Sequence, residues 1–183
     1  MNNNKMVRSR PNKIEHFFNR AKTAAERSTC LRRKIGAVII NDDGVELSSG
    51  YVGSPRGTDH CIAIGNCLRM ELGIKSGRNY ELCRSVHAEQ NAIINAARIG
   101  VSILGAEIYI YSEKISGAYQ DDEKSNSSID GPCIICKKEI INAGLIRVHM
   151  KEEGVGERTY SIEQIKEKLL LEEAKWRNEI EKK

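Results

Sequence analysis

Apolar positions along the chain follow two different periods. Ile14, Phe17, Phe18, Ala21, Ala24 and Ala25 recur at helical spacing, which predicts a core-packing helix from Lys13 to about Ser28. Gly36 to Ile40 is instead a continuous, largely β-branched run. Asn41-Asp42-Asp43-Gly44 supplies turn chemistry, and Val45 to Ser49 resumes extended structure, so the pair predicts a β-hairpin. The loop from Gly50 to Gly57 holds three glycines and a proline, which suits close approach of backbone to a ligand.

Residues 59–84 have little periodicity and read as an insertion held by something other than a core. From Ser85 to Ile99 the small apolar positions Ala88, Ala92, Ile93, Ala96 and Ala97 predict a second helix, closed by Gly100. Ala106 to Tyr111 alternates as a strand. The polar stretch 113–130 reads as a loop insertion, with a flexible part at 121–128. Gly131-Pro132 opens a helix that Gly144 ends, and Leu145 to Met150 forms another strand. Strand, helix, strand implies a parallel pair with a right-handed crossover. Residues 152–158 read as a charged linker. Ser161-Ile162-Glu163-Gln164 then starts a last helix with a capping-box pattern. The expected organisation is a tail at 1–12, one domain at 13–150, and a linker with a C-terminal helix at 151–183.

Composition narrows this picture only slightly. At 183 residues and 40% hydrophobic content the chain can bury one core. A net charge of +4 is a weak argument for a nucleic-acid footprint. The first thirty residues contain no apolar signal core, and no apolar run is long enough to cross a membrane. Six cysteines without a secretory signal read as reduced thiols or metal ligands in a cytoplasm.

The chemistry concentrates in two short motifs. His87, Cys133 and Cys136 offer one nitrogen and two sulfurs, a set that suits zinc and leaves a fourth position for water. Glu89 is not needed as a ligand and is free to move protons. His-x-Glu followed by Pro-Cys-x-x-Cys is the signature of zinc-dependent nucleobase deaminases. A redox Cys-x-x-Cys would call for a thioredoxin-like strand before it, and the preceding segment here is a polar loop. A purely structural zinc on the same residues would need a fourth ligand, which a nearby cysteine would provide.

His87-Ala88-Glu89-Gln90-Asn91-Ala92-Ile93, Gly131-Pro132-Cys133-Ile134-Ile135-Cys136 and Ile140-Ile141-Asn142-Ala143-Gly144 resemble the cytidine and deoxycytidylate deaminase superfamily. Cys30 to Val38 and Gly50 to Gly57 are similar to its deoxycytidylate branch. The resemblance implies an α/β fold of three layers, α/β/α, with a five-stranded mixed sheet. It implies a catalytic zinc on His87, Cys133 and Cys136, with Glu89 as proton shuttle. The Ala88 backbone would contact the pyrimidine carbonyl, and the Gly131 carbonyl would face the departing amine. The glycine loop would cover the sugar and phosphate, with Ser54 and Arg56 on the phosphate. Valine at position 52 stands where the family carries a sugar-binding asparagine. The insertion at 113–130 is a further departure, either a tolerated surface loop or a lid. Cys30 and Cys61 match positions of a second, structural zinc in some relatives; Cys67 and Cys83 would complete a Cys₄ set, the alternative being buried free thiols.

The expected function is hydrolytic deamination of a cytosine nucleotide, dCMP and water to dUMP and ammonia, by attack of zinc-activated water on C4. The resemblance also implies a homo-oligomer; no membrane and no nucleic-acid partner is expected. The rivals are deamination of a nucleoside, of another nucleobase or of a base within nucleic acid, and a non-catalytic zinc-binding regulatory module.

Overall fold

The computed structural model describes residues 9–74, 78–115 and 128–180. The flexible stretch expected at 121–128 lies almost wholly outside the described residues. Helix α1 spans Lys13–Ala25, with the Asn12 carboxamide accepting from Glu15 N–H at its start. Strand β1 (Arg33–Ile40) pairs antiparallel with β2 (Glu46–Tyr51), as the hairpin pattern predicts. Two one-turn helices, α2 (Cys61–Ile64) and α3 (Leu68–Glu71), follow, then α4 (Ala88–Ile99). Strand β3 (Glu107–Lys114), helix α5 (Ile134–Asn142) and strand β4 (Arg147–Glu152) form the crossover unit, with β3 and β4 parallel. Strand β5 (Gly156–Ser161) and helix α6 (Ile162–Ile180) complete the chain.

The sheet order is β2-β1-β3-β4-β5, mixed and five-stranded. The central strands are apolar on both faces because both are covered. Val38, Ile40, Tyr109 and Tyr111 meet Phe17 and Phe18 of α1 on one side. Ala37, Ile39, Ile108, Ile110 and Val148 meet Ala88, Ala92, Ala96 and Ile140 of α4 and α5 on the other. The three-layer α/β/α arrangement is therefore as expected.

Three expectations are corrected. The stretch read as a linker at 152–158 is a tight turn and the start of β5, which pairs antiparallel with β4. Its residues are polar because β5 is an edge strand whose one deeply buried side chain is Tyr160. The segment 59–84 contains α2, α3 and a 3₁₀ turn at Tyr80–Leu82. Strand β3 runs to Lys114, two residues into the stretch read as an insertion, because Arg33 and Lys34 of β1 pair with it there. Among the described residues, no helix is long and apolar enough to cross a membrane.

Two glycines set how closely the layers meet. A Cβ on Gly36 would lie 2.2 Å from Ala21 O, and one on Gly50 would lie 2.3 Å from Ala92 N. Gly50 thus serves the contact of β2 with α4, not the approach of a ligand. That contact seats the start of α4 against the sheet.

Candidate active site and metal centre

Helices α4 and α5 pack side by side on one sheet face, and both start at the same end of it. His87 is the N-cap of α4, and its backbone N–H donates to Gln90 Oε1 at 3.0 Å. Cys133 is the N-cap of α5, one turn before Cys136. Gln90 Nε2 donates to Glu139 Oε1 at 2.8 Å, linking the two helices. The result places His87 Nδ1 3.3 Å from Cys133 Sγ and 3.4 Å from Cys136 Sγ. Tyr80 packs its ring edgewise on the imidazole, 5.6 Å between centroids.

These three ligand atoms lie within 4.8 Å of one another. Ordinary zinc–nitrogen and zinc–sulfur lengths in a tetrahedron put neighbouring ligands about 3.6 Å apart, so the set fits zinc with little adjustment. The electrostatics point the same way. The Cys133 thiol is driven well below its ordinary value by the hydrogen bond from Cys136, against the cost of burial and with help from His87. Cys136 is correspondingly raised, first by sharing that proton with Cys133 and then by burial. One thiolate is already favoured, and thiolate is the form a metal binds.

Glu89 is 6% exposed on the first turn of α4. Burial pushes its carboxyl up, and His87 opposes that rise. A cavity of about 470 Å³ opens onto Glu89, His87 and Cys133. Val52, Gly131 and Met150 also line it. One wall comes from α6, through Glu172, Lys175 and Trp176. Lys137, next after Cys136, is nearly buried and ion-pairs with Glu172, which fastens α6 to α5.

The other anticipated residues are placed as follows. Gly131 lines the cavity at φ +130°, a backbone region that favours glycine. Ala88 is fully buried in the α4–sheet contact. Val52 contributes an apolar wall, and its backbone N–H bonds to Ile35 O. Arg56 lies outside the cavity, held by Asn95 Oδ1 at 2.8 Å. Ser54 Oγ is buried without a hydrogen-bond partner among the described residues and also lies off the cavity wall. All six cysteines are free thiols. Cys30, Cys61, Cys67 and Cys83 also line the cavity, and burial raises Cys30, with Cys83 and Cys61 adding to the effect. Among the described residues these four do not form a second group with three ligand atoms within 4.8 Å. His60 Nδ1 accepts from Ala63 N–H at the start of α2.

Sequence reasoning missed Tyr80, Arg84, Ser85, Lys137, Glu172 and Trp176 as parts of this site. The capping box at Ser161 signalled α6, but nothing in its pattern signalled which wall it builds.

Residues 11–152 match the family model described as "Cytidine and deoxycytidylate deaminase zinc-binding region". The chain belongs to this deaminase family. Among similar members, the deoxycytidylate deaminase of Mycobacterium phage D29 is 33% identical over 151 residues, covering 80% of this chain and 99% of that one. The deoxycytidylate deaminase of Schizosaccharomyces pombe is 30% identical over 77% of this chain. The chain spans 37% of that relative's length, and 59% of ComE operon protein 2 of Bacillus subtilis, which is 33% identical. The dCMP deaminase of cyanophage S-TIM5, solved in complex with dCMP and dUMP, superposes with a TM-score of 0.55 at 26% identity. That match covers 79% of this chain and 85% of the phage chain. The matched region thus takes in β1 to β4, α4 and α5.

Proposed function

We propose that the protein is a zinc-dependent deaminase of a cytosine nucleotide, converting dCMP and water to dUMP and ammonia. The observation that carries the reading is the buried Glu89 carboxyl beside the His87–Cys133–Cys136 cluster at one cavity. Similarity to the deoxycytidylate deaminases of phage D29 and cyanophage S-TIM5 supports the choice of nucleotide.

His87, Cys133 and Cys136 hold the zinc in this reading. When bound, zinc supplies Lewis acidity that makes water an effective nucleophile near neutral pH. Glu89 takes a proton from the attacking water and delivers it to N3 of the ring. It then carries the second proton to the amine, so that C4 gains oxygen and loses ammonia. The raised affinity of the buried Glu89 carboxyl for protons suits that double transfer. In this reading the Ala88 N–H, at the start of α4, donates to the pyrimidine carbonyl. The Gly131 carbonyl accepts from the departing amine. Val52 excludes water from the sugar and offers it no side-chain hydrogen bond.

A structural zinc on Cys30, Cys61, Cys67 and Cys83 belongs to the same reading, supported by the four thiols lining one cavity and by the influence of Cys83 and Cys61 on Cys30. Two zinc ions per chain by metal analysis support it; one contradicts it. The reading includes a cytoplasmic homo-oligomer that does not act on nucleic acid. The free thiols support a reducing compartment, and Ile99 and Leu104, 66% and 79% exposed, support a subunit contact. Incubating the zinc-loaded protein with dCMP and identifying dUMP by mass tests the activity. Removal of zinc by a chelator abolishes it, and added zinc restores it.

A further inference from the structure

The cavity walls carry more cations than acids, but most of those charges are already engaged. Arg33 donates to Glu152 at 3.2 Å and to Ser112. Arg69 donates to Asn79 O at 2.6 Å and lies over the Tyr80 ring. Lys137 is paired with Glu172. The acid Asp130 is taken by Arg158 at 3.2 Å. Arg84 differs. Its Nη1 is buried on the cavity wall, and among the described residues it has no hydrogen-bond partner. The next residue, Ser85, is 6% exposed, lines the same cavity, and its Oγ likewise has no partner.

Buried polar groups are almost always satisfied, and an orphaned guanidinium nitrogen is among the costliest exceptions. Two adjacent orphans on one cavity wall therefore mark a place that a ligand completes. A guanidinium fork with a hydroxyl beside it matches a phosphate: two charge-assisted N–H donors and one O–H donor to three anionic oxygens. The pair immediately precedes the turn that carries His87, so a group held there is tied to the reacting end of the cavity.

We propose that Arg84 and Ser85 form the subsite for the 5′-phosphate of the substrate. The proposal rests on the cytosine-nucleotide reading above and assigns the phosphate away from Ser54 and Arg56. Arg56 is committed to Asn95 outside the cavity, and Ser54 does not line it. Val52 removes a polar contact to the sugar, so the phosphate contact carries more of the nucleotide's binding. Arg84 and Ser85 are positioned to distinguish a nucleotide from a nucleoside and take no part in the proton transfers.

The test is calorimetric titration of the zinc-loaded protein with dUMP and with deoxyuridine. The wild type is expected to bind dUMP about 10- to 100-fold more tightly, the worth of a charge-assisted contact. Arg84→Gln removes most of that advantage and leaves deoxyuridine binding unchanged. Arg84→Lys recovers part of it, and Ser85→Ala gives a smaller loss of the same kind. Ser85→Ala also serves if Arg84→Gln fails to fold, since it removes one oxygen and no charge. Unchanged dUMP binding in Arg84→Gln, or an equal loss for both ligands, overturns the subsite. So does transfer of the whole effect to Lys175→Gln on α6. A wild-type protein that deaminates no cytosine compound overturns the underlying reading instead.

Discussion

Gln90 Nε2 donates to Glu139 Oε1 across 2.8 Å, while Gln90 Oε1 accepts from the His87 backbone at 3.0 Å. One carboxamide therefore fixes the His87 end of α4 against the helix that begins at Cys133. It spends both its donor and its acceptor on the spacing of the three metal-binding side chains.

Gln90→Ala breaks both bonds and leaves Glu139 without that partner. Outer groups of this kind typically contribute 10- to 100-fold to metal affinity. The expected outcome is zinc binding weakened by about that factor, read by competition with a chromophoric chelator. The fold, read by circular dichroism, stays intact.

Gly50→Ala acts at longer range on the same site. The added Cβ would sit 2.3 Å from Ala92 N and 2.5 Å from Ala88 O, both backbone atoms of α4. The helix must move off β2 to accept it, at a cost of about 1–3 kcal/mol or more. A lower denaturant midpoint together with lower zinc content is expected. An unchanged midpoint removes Gly50 from the account of how α4 is seated.

The far face of the sheet carries a pH-dependent element. His149 is 3% exposed, stacks on Tyr109 and bonds to Thr159 Oγ1 at 2.8 Å and Glu107 Oε2 at 3.0 Å. Burial pulls the His149 pKa below its usual 6.5, against the pull of Glu107, with the cations Arg147 and Lys13 adding to the depression. Glu107 is also lowered: burial opposes this, but His149 and Arg147 outweigh it. Both groups bind fewer protons folded than unfolded, so their contribution is present above the unfolded pKa and lost on acidification. For His149 the loss begins as pH falls below about 6.5. For Glu107 it begins below about 4.5 and continues toward its lowered folded pKa. Thermal midpoints from pH 7.5 to 4 should fall, and His149→Asn should flatten the fall between pH 6.5 and 5.

Glu89→Gln keeps the size of the side chain and removes its capacity to carry protons. Turnover should fall by about 10²- to 10⁴-fold, the usual worth of a positioned acid–base group. Zinc content should be unchanged. Full activity in this variant would take Glu89 out of the mechanism.

The legible parts of the chain are those where one local signal agrees with the tertiary outcome. The β-branched run into β1, the Asp-Gly turn, and the Pro132/Gly144 bracket of α5 each describe their own surroundings. The site ligands were legible because His87, Glu89, Cys133 and Cys136 carry their chemistry in residue type and spacing. Strand β5 was not, since an edge strand with one deeply buried side chain has no alternation to read. Gly50 looked like a ligand-loop glycine because the nearness of Ala88 and Ala92 exists only after folding. Arg84 and Ser85 looked like ordinary polar residues, and only the buried Arg84 Nη1 and Ser85 Oγ, without a hydrogen-bond partner among the described residues, mark them. The α6 wall rests on Ile165 in the core and on the Lys137–Glu172 pair, contacts between residues far apart in sequence.

The most direct measurement is ammonia release by the zinc-loaded protein from dCMP, deoxycytidine, CMP, dCTP, free cytosine, guanine compounds and a cytosine-containing oligonucleotide. The account predicts the highest kcat/KM for dCMP, with deoxycytidine lower by tenfold or more and the oligonucleotide inactive. Equal rates for dCMP and deoxycytidine, or a preference for the oligonucleotide or a guanine compound, would contradict it.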